Sequence, residues 1–250
     1  MIMKKSIYLY FIFILLSCNE DKKYEIIKEV YFYSYEISNS DNAKIGYFEP
    51  EDYPGEALSI KSITSDGENI FLLDGYHQNI KKIDIEKGKI KISEKINNDF
   101  LSDMVYFEND LFIASKYKGI YIYNSKLTQI NFIELKKYFG SEKYFYFEDN
   151  SLFLYIPDNS LSIELNRNGL GKSIEESNIN VVGTRFIRNK KIDYNDLILN
   201  IEDKYFKLKR PYENTFKYFN SINIYYDDNL LSYYSIDSDS LNLYIYNLGN

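Results

Sequence analysis

The chain has 250 residues, a formal net charge of −7 at pH 7, and an aromatic content of 18%. This negative charge disfavours nucleic acid as a partner, because nucleic-acid-binding surfaces concentrate Lys and Arg. A single cysteine and a single histidine exclude intrachain disulfides, zinc–thiolate sites and multi-histidine metal sites, so we predict no metal and no cofactor.

The first 17 residues, MIMKKSIYLYFIFILLS, have the composition of a secretory signal peptide. Lys4 and Lys5 precede an apolar run at 7–16, and the small residue Ser17 stands last, which is the usual order of the charged, apolar and cleavage regions. The run has ten residues, whereas a helix needs ~20 to cross a bilayer. We therefore predict a signal peptide at 1–17 rather than a transmembrane span.

The motif LLSC at 15–18 holds the only cysteine of the chain and resembles the lipobox of bacterial lipoproteins. The resemblance implies that Cys18 is acylated, for example with palmitate, and becomes the first residue after cleavage. Loss of Lys4 and Lys5 then changes the net charge from −7 to −9. Asn19 after the cysteine is unlike an inner-membrane retention signal, which favours the outer membrane, with either its periplasmic or its surface face open. A buried cysteine that closes an N-terminal core helix is the alternative.

The segment after the cysteine, residues 19–23 (NEDKK), is predicted to be a solvated tether. It is followed by YEIIKEVYFYSYEI at 24–37, a strong strand candidate that has no repeat of its own. We predict that residues 24–250 form one domain.

Apolar runs then recur with starts 41, 41, 45 and 33 residues apart, and each run begins with Asn, Asp or Ser. These runs are NIFLLD (69–74), DLFIAS (110–115), SLFLYI (151–156), DLILNI (196–201) and NLLSYY (229–234). Each is followed by an alternating run: NIKKID (79–84), GIYIYN (119–124), SLSIEL (160–165), KYFKLK (204–209) and LNLYIY (241–246). Alternation with period two predicts half-buried strands.

Further strand candidates precede most of the first runs, at 59–64, 103–108, 143–148 and 222–227. Others follow the second runs, at 89–95, 129–135 and, less clearly, 215–220. Three or four short strands in about 40 residues is the period of a β-propeller. The segment SDGENIFLLDGYHQNIKKIDIEKGKI at 65–90 resembles a blade of NHL-type and six-bladed bacterial propellers. The segment 181–195 is too long for one strand and accounts for the 45-residue spacing.

The last repeat ends at Asn250 without an outer strand, and the segment 24–37 has no blade. Pairing the two closes the ring and covers both exposed strand edges. We therefore predict an all-β chain that forms a five-bladed β-propeller whose N-terminal strand completes the last blade. Six blades, with residues 38–57 in an additional blade, is the second alternative, and a β-sandwich is the third.

Propeller ligands usually bind in the central channel or on the loops between the second and third strands of each blade. These loops are short here: GYHQ (75–78), KYKG (116–119), PDN (157–159), ED (202–203) and DSDS (237–240). Loop position and amphipathic chemistry make Tyr76, His77, Lys116 and Tyr117 the candidate contact residues. The alternative is that these four are ordinary solvated hairpin residues.

Three other patterns have simpler explanations than a binding site. NRNGLGKS at 166–173 ends like a phosphate-binding loop but has Asn166 in place of the first glycine and no apolar helix after it, so we predict a turn. The basic window 185–210 is interpreted as a solvated strand face rather than an anion site. The pairs Asp237/Asp239 and Asp193/Asp196 are interpreted as turn acids rather than calcium ligands or glycosidase carboxylates.

The sequence therefore predicts a membrane-anchored lipoprotein that presents a β-propeller as a binding or scaffold module, with no catalytic residues. Its expected partners are the membrane, through the lipid, and a protein, small molecule or glycan. The alternative is a surface hydrolase of the glycosidase type, for which carboxylates would have to converge in the propeller channel.

Overall fold

A computed structural model describes the chain in eleven segments. They are 24–25, 29–47, 59–96, 100–148, 150–166, 168–175, 198–201, 204–207, 224–226, 230–236 and 239–247. Several sequence predictions lie outside these residues: the signal peptide, Cys18, the tether, the irregular segment 181–195 and the strand candidate at 215–220.

The described residues form nineteen strands. In chain order they are β1 (Tyr24–Glu25), β2 (Glu29–Glu36), β3 (Ile60–Ser65), β4 (Asn69–Asp74), β5 (Asn79–Asp84), β6 (Ile90–Ile92), β7 (Leu101–Phe107), β8 (Asp110–Ser115), β9 (Gly119–Asn124), β10 (Gln129–Glu134), β11 (Tyr144–Glu148), β12 (Ser151–Ile156), β13 (Leu161–Asn166), β14 (Gly169–Glu175), β15 (Ile198–Ile201), β16 (Lys204–Lys207), β17 (Ile224–Tyr226), β18 (Leu230–Ile236) and β19 (Ser240–Asn247). Short 3₁₀ turns occupy Lys136–Tyr138 and Pro157–Asn159.

Four sheets have four antiparallel strands each. The first sheet is β3-β4-β5-β6, the second sheet β7-β8-β9-β10 and the third sheet β11-β12-β13-β14. The closing sheet has the order β17-β18-β19-β2. Repetition of one four-stranded antiparallel unit along the chain is the architecture of a β-propeller, and the predicted fold class is confirmed. The number of blades, five or six, stays a prediction.

The second strand of each of the first three sheets is almost wholly buried, and in the first two sheets both of its faces pack against other sheets. In β4, Ile70 and Leu72 pack against the closing sheet. Phe71 and Leu73, which point to the opposite face, pack against the second sheet. Alternate side chains of a strand leave opposite faces of its sheet, so one continuous apolar run supplies two cores.

The first strands of neighbouring sheets run in the same direction. Ser62 of β3 donates from Oγ to Asp103 Oδ1 on β7 at 2.7 Å. Two residues further along β3, Thr64 Oγ1 accepts from the backbone N–H of Tyr106 at 3.1 Å. Since both pairs advance together, β3 and β7 begin at the same end of the domain. We call this end the top face and the opposite end the bottom face.

The closing sheet contains the N-terminal strand, as the sequence predicts. β2 pairs antiparallel with β19, with Glu36 opposite Ser240 and Glu29 opposite Tyr246. The predicted pairing of the whole segment 24–37 with the last repeat is wrong for its first two residues. Tyr24 and Glu25 instead form β1, which pairs with β16.

A separate compact unit contains the described residues 24–25, 198–201 and 204–207. Its described strands form a three-stranded sheet of order β1-β16-β15, in which β1 is parallel and β15 antiparallel to β16. The predicted fourth repeat, with runs at 196–201 and 204–209, therefore forms a hairpin of paired strands.

The segment NRNGLGKS contains more strand than the sequence predicts. Asn166 Oδ1 accepts from the backbone N–H of Asn168 at 2.9 Å, which forms the expected turn. The chain then reverses, and Gly169–Glu175 pairs with β13 as the outer strand of the third sheet. The prediction of a turn over the whole segment is therefore wrong after Gly169. The strand–turn–strand path lacks the helix that a phosphate-binding loop requires.

Candidate functional site

The turns between the second and third strands lie on the top face, next to the start of each first strand. In the first sheet, Gly75 N–H donates to Ser59 O at 2.9 Å. In the second sheet, Lys116 N–H makes the equivalent bond to Phe100 O at 2.8 Å. The four predicted contact residues, Tyr76, His77, Lys116 and Tyr117, are therefore all on the top face, in two neighbouring turns.

In the first of these turns, a buried carboxylate holds the backbone together. Asp74, fully buried at the end of β4, accepts from the backbone N–H of His77 at 2.9 Å through Oδ1. Its Oδ2 accepts from Gly46 N–H at 2.9 Å and lies 3.1 Å from His77 Nδ1. Lys81 Nζ lies 3.4 Å from the same oxygen. Asp74 thus joins the β4–β5 turn to a segment that follows β2.

That segment, residues 42–46, covers the histidine. Lys81 Nζ donates to Asn42 O at 2.5 Å, and burial lowers the pKa of Lys81 against the opposing effect of Asp74. The His77 side chain is only 7% exposed, and its Nε2 has no hydrogen-bond partner among the described residues. A contact made by His77 with a ligand would therefore require the segment 42–46 to move. Tyr76, half-buried, packs edge-on against the His77 ring at 5.2 Å.

The second turn carries an exposed group of aromatic side chains. Tyr117 packs against Phe100 with ring centroids 5.4 Å apart and against Phe139 at 5.3 Å. Phe100 and Phe139 are 61% and 69% exposed, which is unusual for phenylalanine. We call these three residues the aromatic cluster. Tyr117 was predicted from its loop position. The other two were not, although each lies just before a first strand and so on the same face.

A buried lysine holds the aromatic cluster in place. Lys143 is fully buried, and its Nζ donates to Lys116 O at 2.9 Å, Tyr138 O at 2.8 Å and Ser141 O at 2.8 Å. These three carbonyls belong to the turn that carries Tyr117 and the segment that carries Phe139. A charged donor with three acceptors is a strong and directional anchor, so the cluster is presented on a rigid frame.

The surroundings of the aromatic cluster are basic although the chain is acidic. Lys116 Nζ pairs with Glu142 Oε1 at 2.6 Å, which places the predicted contact residue Lys116 at the edge of the cluster. The charged side chains that are not fully buried in residues 116–118 and 134–142 are Lys116, Lys118, Lys136, Lys137, Glu134 and Glu142. Four lysines against two glutamates give a local charge of +2 in a chain of net charge −7.

An open depression of about 430 Å³ lies on the bottom face, opposite the aromatic cluster. It is formed where the first strands of the first, second and closing sheets end. The lining residues are Ser65, Asp66, Gly67, Tyr106, Tyr225, Leu230 and Asn247. None of these lining residues is among the four contact residues predicted from the sequence, because the lining residues come together only through the packing of three sheets.

The buried carboxylate of β7, Asp103, has a structural role. Its Oδ1 accepts from Ser62 Oγ, and its Oδ2 accepts from Phe145 N–H at 2.9 Å on the third sheet. Among the residues that the structure describes, no three His, Cys, Asp or Glu side chains meet in a group that could hold a metal ion. Those same residues include no helix with the length and apolar character needed to cross a membrane.

Comparison with known proteins gives no family for this chain. No protein-family model matches it, and no curated protein matches it. Solved structures do resemble it, at low similarity. Against catalytically inactive virginiamycin B lyase from Staphylococcus aureus, with quinupristin, the identity is 13%, the TM-score 0.45, and the coverage 91% of this chain and 82% of that one.

Two other solved structures are similarly distant. Myxococcus xanthus glutaminyl cyclase matches with 9% identity and a TM-score of 0.39, over 90% of this chain and 98% of that one. Kuenenia stuttgartiensis hydrazine synthase matches with 9% identity and a TM-score of 0.38, over 47% of this chain and 38% of that one. The chain thus spans less than half of the hydrazine synthase chain. Likenesses this weak carry no argument about activity, and the assignment of the fold rests on the sheets themselves.

Proposed function

We propose that the chain is a lipid-anchored protein of the bacterial cell envelope that uses its β-propeller as a non-catalytic module for binding another protein. The aromatic cluster carries this proposal. Large, rigid and exposed aromatic side chains are the usual anchors of protein–protein interfaces. Here Phe100 and Phe139 are exposed, and both contact the half-buried Tyr117. Lys143 fixes the turn that carries Tyr117 and the segment that carries Phe139.

The partner is a protein segment that combines apolar side chains with Asp or Glu. The aromatic cluster supplies the apolar contact, and the local charge of +2 from the neighbouring lysines and glutamates favours an acidic partner. The turns between second and third strands are short on the top face, so the cluster lies on an exposed surface rather than in a cleft for a small substrate.

The lipid anchor is the second part of the proposal and is supported by the LLSC motif at 15–18. The direction of β2 is compatible with it. Glu29, the first residue of β2, pairs with Tyr246 near the end of β19 on the bottom face, and β2 then runs to the top face. The chain therefore enters the closing sheet from the side opposite the aromatic cluster, which leaves the cluster facing away from that point of entry.

We do not propose the surface-hydrolase alternative. Such an enzyme needs carboxylates that are free to act as acid, base or nucleophile. Asp103, the carboxylate in the middle of the first strand of the second sheet, is instead fully buried and accepts hydrogen bonds from two neighbouring sheets.

A displayed library of random peptides tests the protein-binding role. Peptides are selected on the chain without residues 1–17, and the affinity of the enriched sequences is measured by fluorescence anisotropy. We expect acidic peptides with apolar residues, whose affinity falls with rising salt. The double variant Phe100→Ala/Phe139→Ala should weaken their binding by about 10- to 100-fold, because two anchors at roughly 1 kcal/mol or more each are lost.

The double variant Phe32→Ala/Phe132→Ala is the matched control. Phe32 and Phe132 are 47% and 37% exposed, and each also packs against a tyrosine, Tyr244 and Tyr121 respectively. Both lie on outer strands rather than in the top-face turns, so this variant should bind the peptides normally. Equal loss in both double variants, or no loss in either, would overturn the assignment of the aromatic cluster as the binding site.

A further inference from the structure

The depression on the bottom face has the chemistry of a second binding site. Its volume of about 430 Å³ lies within the usual range of roughly 300–1,000 Å³ for small-molecule pockets. Two tyrosines, Tyr106 and Tyr225, contribute aromatic rings, and Asp66 contributes a carboxylate. Leu230 adds apolar surface and Asn247 lies at the rim where β19 ends.

The walls of the depression are fixed by contacts behind them. The Tyr106 ring stacks on Phe71 at 5.8 Å with an interplanar angle of 8°. Asp66 Oδ1 accepts from the backbone N–H of Glu68 at 3.0 Å and of Asn69 at 2.6 Å, and from Asn69 Nδ2 at 3.1 Å. Asp66 Oδ2 accepts only from Asn69 Nδ2, at 3.0 Å, among the described contacts. Because a carboxylate oxygen has more than one lone pair, Oδ2 retains acceptor capacity toward a ligand while the turn sets the position of the carboxylate.

The electrostatic environment of the depression is negative. Burial raises the pKa of Tyr106, and the nearby carboxylates of Asp66, Asp110 and Glu68 raise it further. These three acidic groups act together on one hydroxyl at the wall of the depression. A negative potential next to aromatic faces attracts cations and repels anions.

We propose that the bottom-face depression binds a small organic ammonium ion, with Asp66 as the counter-charge and Tyr106 and Tyr225 as aromatic walls. An ammonium ion combines positive charge, which the carboxylate attracts, with carbon substituents that pack on tyrosine rings. The site is separate from the aromatic cluster on the top face. The proposal of this site does not depend on the proposed protein-binding role.

Isothermal titration with three probes of similar size tests this site. Choline is a quaternary ammonium ion, butylammonium is a primary one, and 3,3-dimethyl-1-butanol is the neutral isostere of choline. We expect at least one of the two cations to bind about tenfold more tightly than the alcohol, because charge attraction and cation–π contact together contribute ~1–2 kcal/mol. Preference for choline would indicate aromatic recognition, and preference for butylammonium would indicate hydrogen bonding to Asp66.

Two aspartate variants test whether the negative charge of Asp66 is the one that attracts the cation. Asp66→Asn keeps an oxygen that can cap the turn but removes the charge, and should weaken cation binding by about tenfold. Asp84→Asn is the matched control, because Asp84 Oδ1 caps the β5–β6 turn in the same way, accepting from Glu86 N–H at 3.1 Å and Lys87 N–H at 2.9 Å. It removes the same charge outside the depression and should leave binding unchanged.

Two tyrosine variants locate the aromatic wall. Tyr106→Phe keeps the ring and should retain cation binding, whereas Tyr106→Leu removes the ring and should weaken cation binding.

The Phe100→Ala/Phe139→Ala variant should bind the cations normally, so failure of this proposal is distinguishable from failure of the protein-binding role. Equal binding of the alcohol and the cations, absence of binding by all three probes at millimolar concentration, or equal loss in Asp66→Asn and Asp84→Asn would overturn the proposal.

Discussion

Buried polar side chains join neighbouring sheets at points where apolar packing alone would leave the sheets free to slide. Asp103 connects three sheets, since it sits on β7 and accepts from Ser62 of β3 and from the backbone of Phe145 on β11. β7 has a register shift between Leu101 and Asp103, and such a bulge redirects the side chains around it. Ser102, the residue between them, uses its hydroxyl to reach Lys143 O at 2.9 Å.

Lys143→Met should destabilise the domain. The substitution preserves length and apolar volume but removes the donor shared by the carbonyls of Lys116, Tyr138 and Ser141. Lys116 O and Tyr138 O keep a backbone donor, Gly140 N–H at 3.0 Å and Ser141 N–H at 3.4 Å, whereas Ser141 O loses the donor that Lys143 supplies. A buried acceptor left without a donor costs roughly 1–3 kcal/mol, so the free energy of unfolding should fall by about this amount. Urea denaturation followed by tyrosine fluorescence measures the change.

Lys118→Met is the control, because Lys118 lies in the same turn but is exposed. Its unfolding midpoint should stay close to that of the natural chain. If Lys143→Met unfolds at the same urea concentration as Lys118→Met, the three carbonyls are satisfied in another way and Lys143 is not the anchor of the aromatic cluster.

The position of a turn could be predicted from single Asp and Asn residues, whereas the burial of His77 could not. Asp84, Asn124 and Asn166 each end a third strand and accept from a backbone N–H two residues later. This is the local chemistry that Asp and Asn favour in turns. His77 also lies in a short turn, but it is covered by residues 42–46, more than 30 positions earlier. Local pattern carries no information about such a distant contact.

At the scale of elements, the closing strand is held by side chains as well as by strand pairing. Tyr33 of β2 donates from its hydroxyl to Ile85 O at 2.7 Å, and Tyr35 donates to Gly88 O at 3.0 Å. Both acceptors lie in the β5–β6 turn of the first sheet. β2 is therefore the outer strand of the closing sheet and a packing partner of the first sheet.

Gly88→Ala should disturb this contact more than Gly67→Ala disturbs the β3–β4 turn. Both glycines have positive φ, +64° and +91°, so both substitutions strain the backbone. A Cβ at Gly88 would also lie 2.4 Å from a ring carbon of Tyr33, whereas a Cβ at Gly67 has no atom within 4 Å. Thermal melting of the two variants isolates the cost of displacing Tyr33.

We expect Gly88→Ala to melt at the lower temperature, with a difference corresponding to roughly 1–3 kcal/mol of overpacking. The double variant Gly88→Ala/Tyr33→Ala adds a check. Because this variant lacks the Tyr33 ring, it should recover part of the melting temperature that Gly88→Ala loses. Equal melting temperatures for Gly88→Ala and Gly67→Ala would show that the closing strand does not pack on the first sheet through Tyr33.

The spacing of apolar runs predicted the inner strands better than the outer ones. β4, β5, β8, β9 and β12 have the predicted bounds, because strands packed on both faces need continuous or alternating apolar residues. β14 was missed because an outer strand is exposed on one side and its sequence, GLGKSIE, is largely polar. β14 joins the third sheet by main-chain pairing with β13, and composition does not predict such pairing.

At the scale of the whole molecule, attachment through Cys18 is the first property to test. Cys18→Ala removes the thiol that the LLSC motif offers for acylation. The variant should incorporate no fatty-acid analogue and remain unprocessed or released from the membrane fraction. Metabolic labelling with an alkyne fatty acid, followed by gel fluorescence, provides the measurement, and equal labelling of the variant and the natural chain would disprove lipidation.

The repeat and the pairing of the N-terminal strand with the last repeat could be predicted, but the two surfaces that carry functional proposals could be predicted only in part. Lys116 and Tyr117 were recognised because a propeller places their loop on one face. Phe100 and Phe139 come from segments on either side of that loop, and Tyr106 and Tyr225 come from sheets far apart in sequence. Surfaces made by several sheets depend on the relative placement of the sheets, which the spacing of apolar runs along the sequence does not specify.

The antiparallel pairing of β2 with β19 also determines how the molecule would respond to mechanical force. A pull applied at Glu29 along the axis of β2 would load the hydrogen bonds to β19 sideways, because those bonds lie across that axis. Bonds loaded sideways in this geometry share the force from Glu29 to Glu36 and must fail together, whereas bonds at the end of a peeled hairpin fail one after another. The pairing of β2 with β19 should therefore resist a force along β2 more strongly than a force that peels the two strands apart.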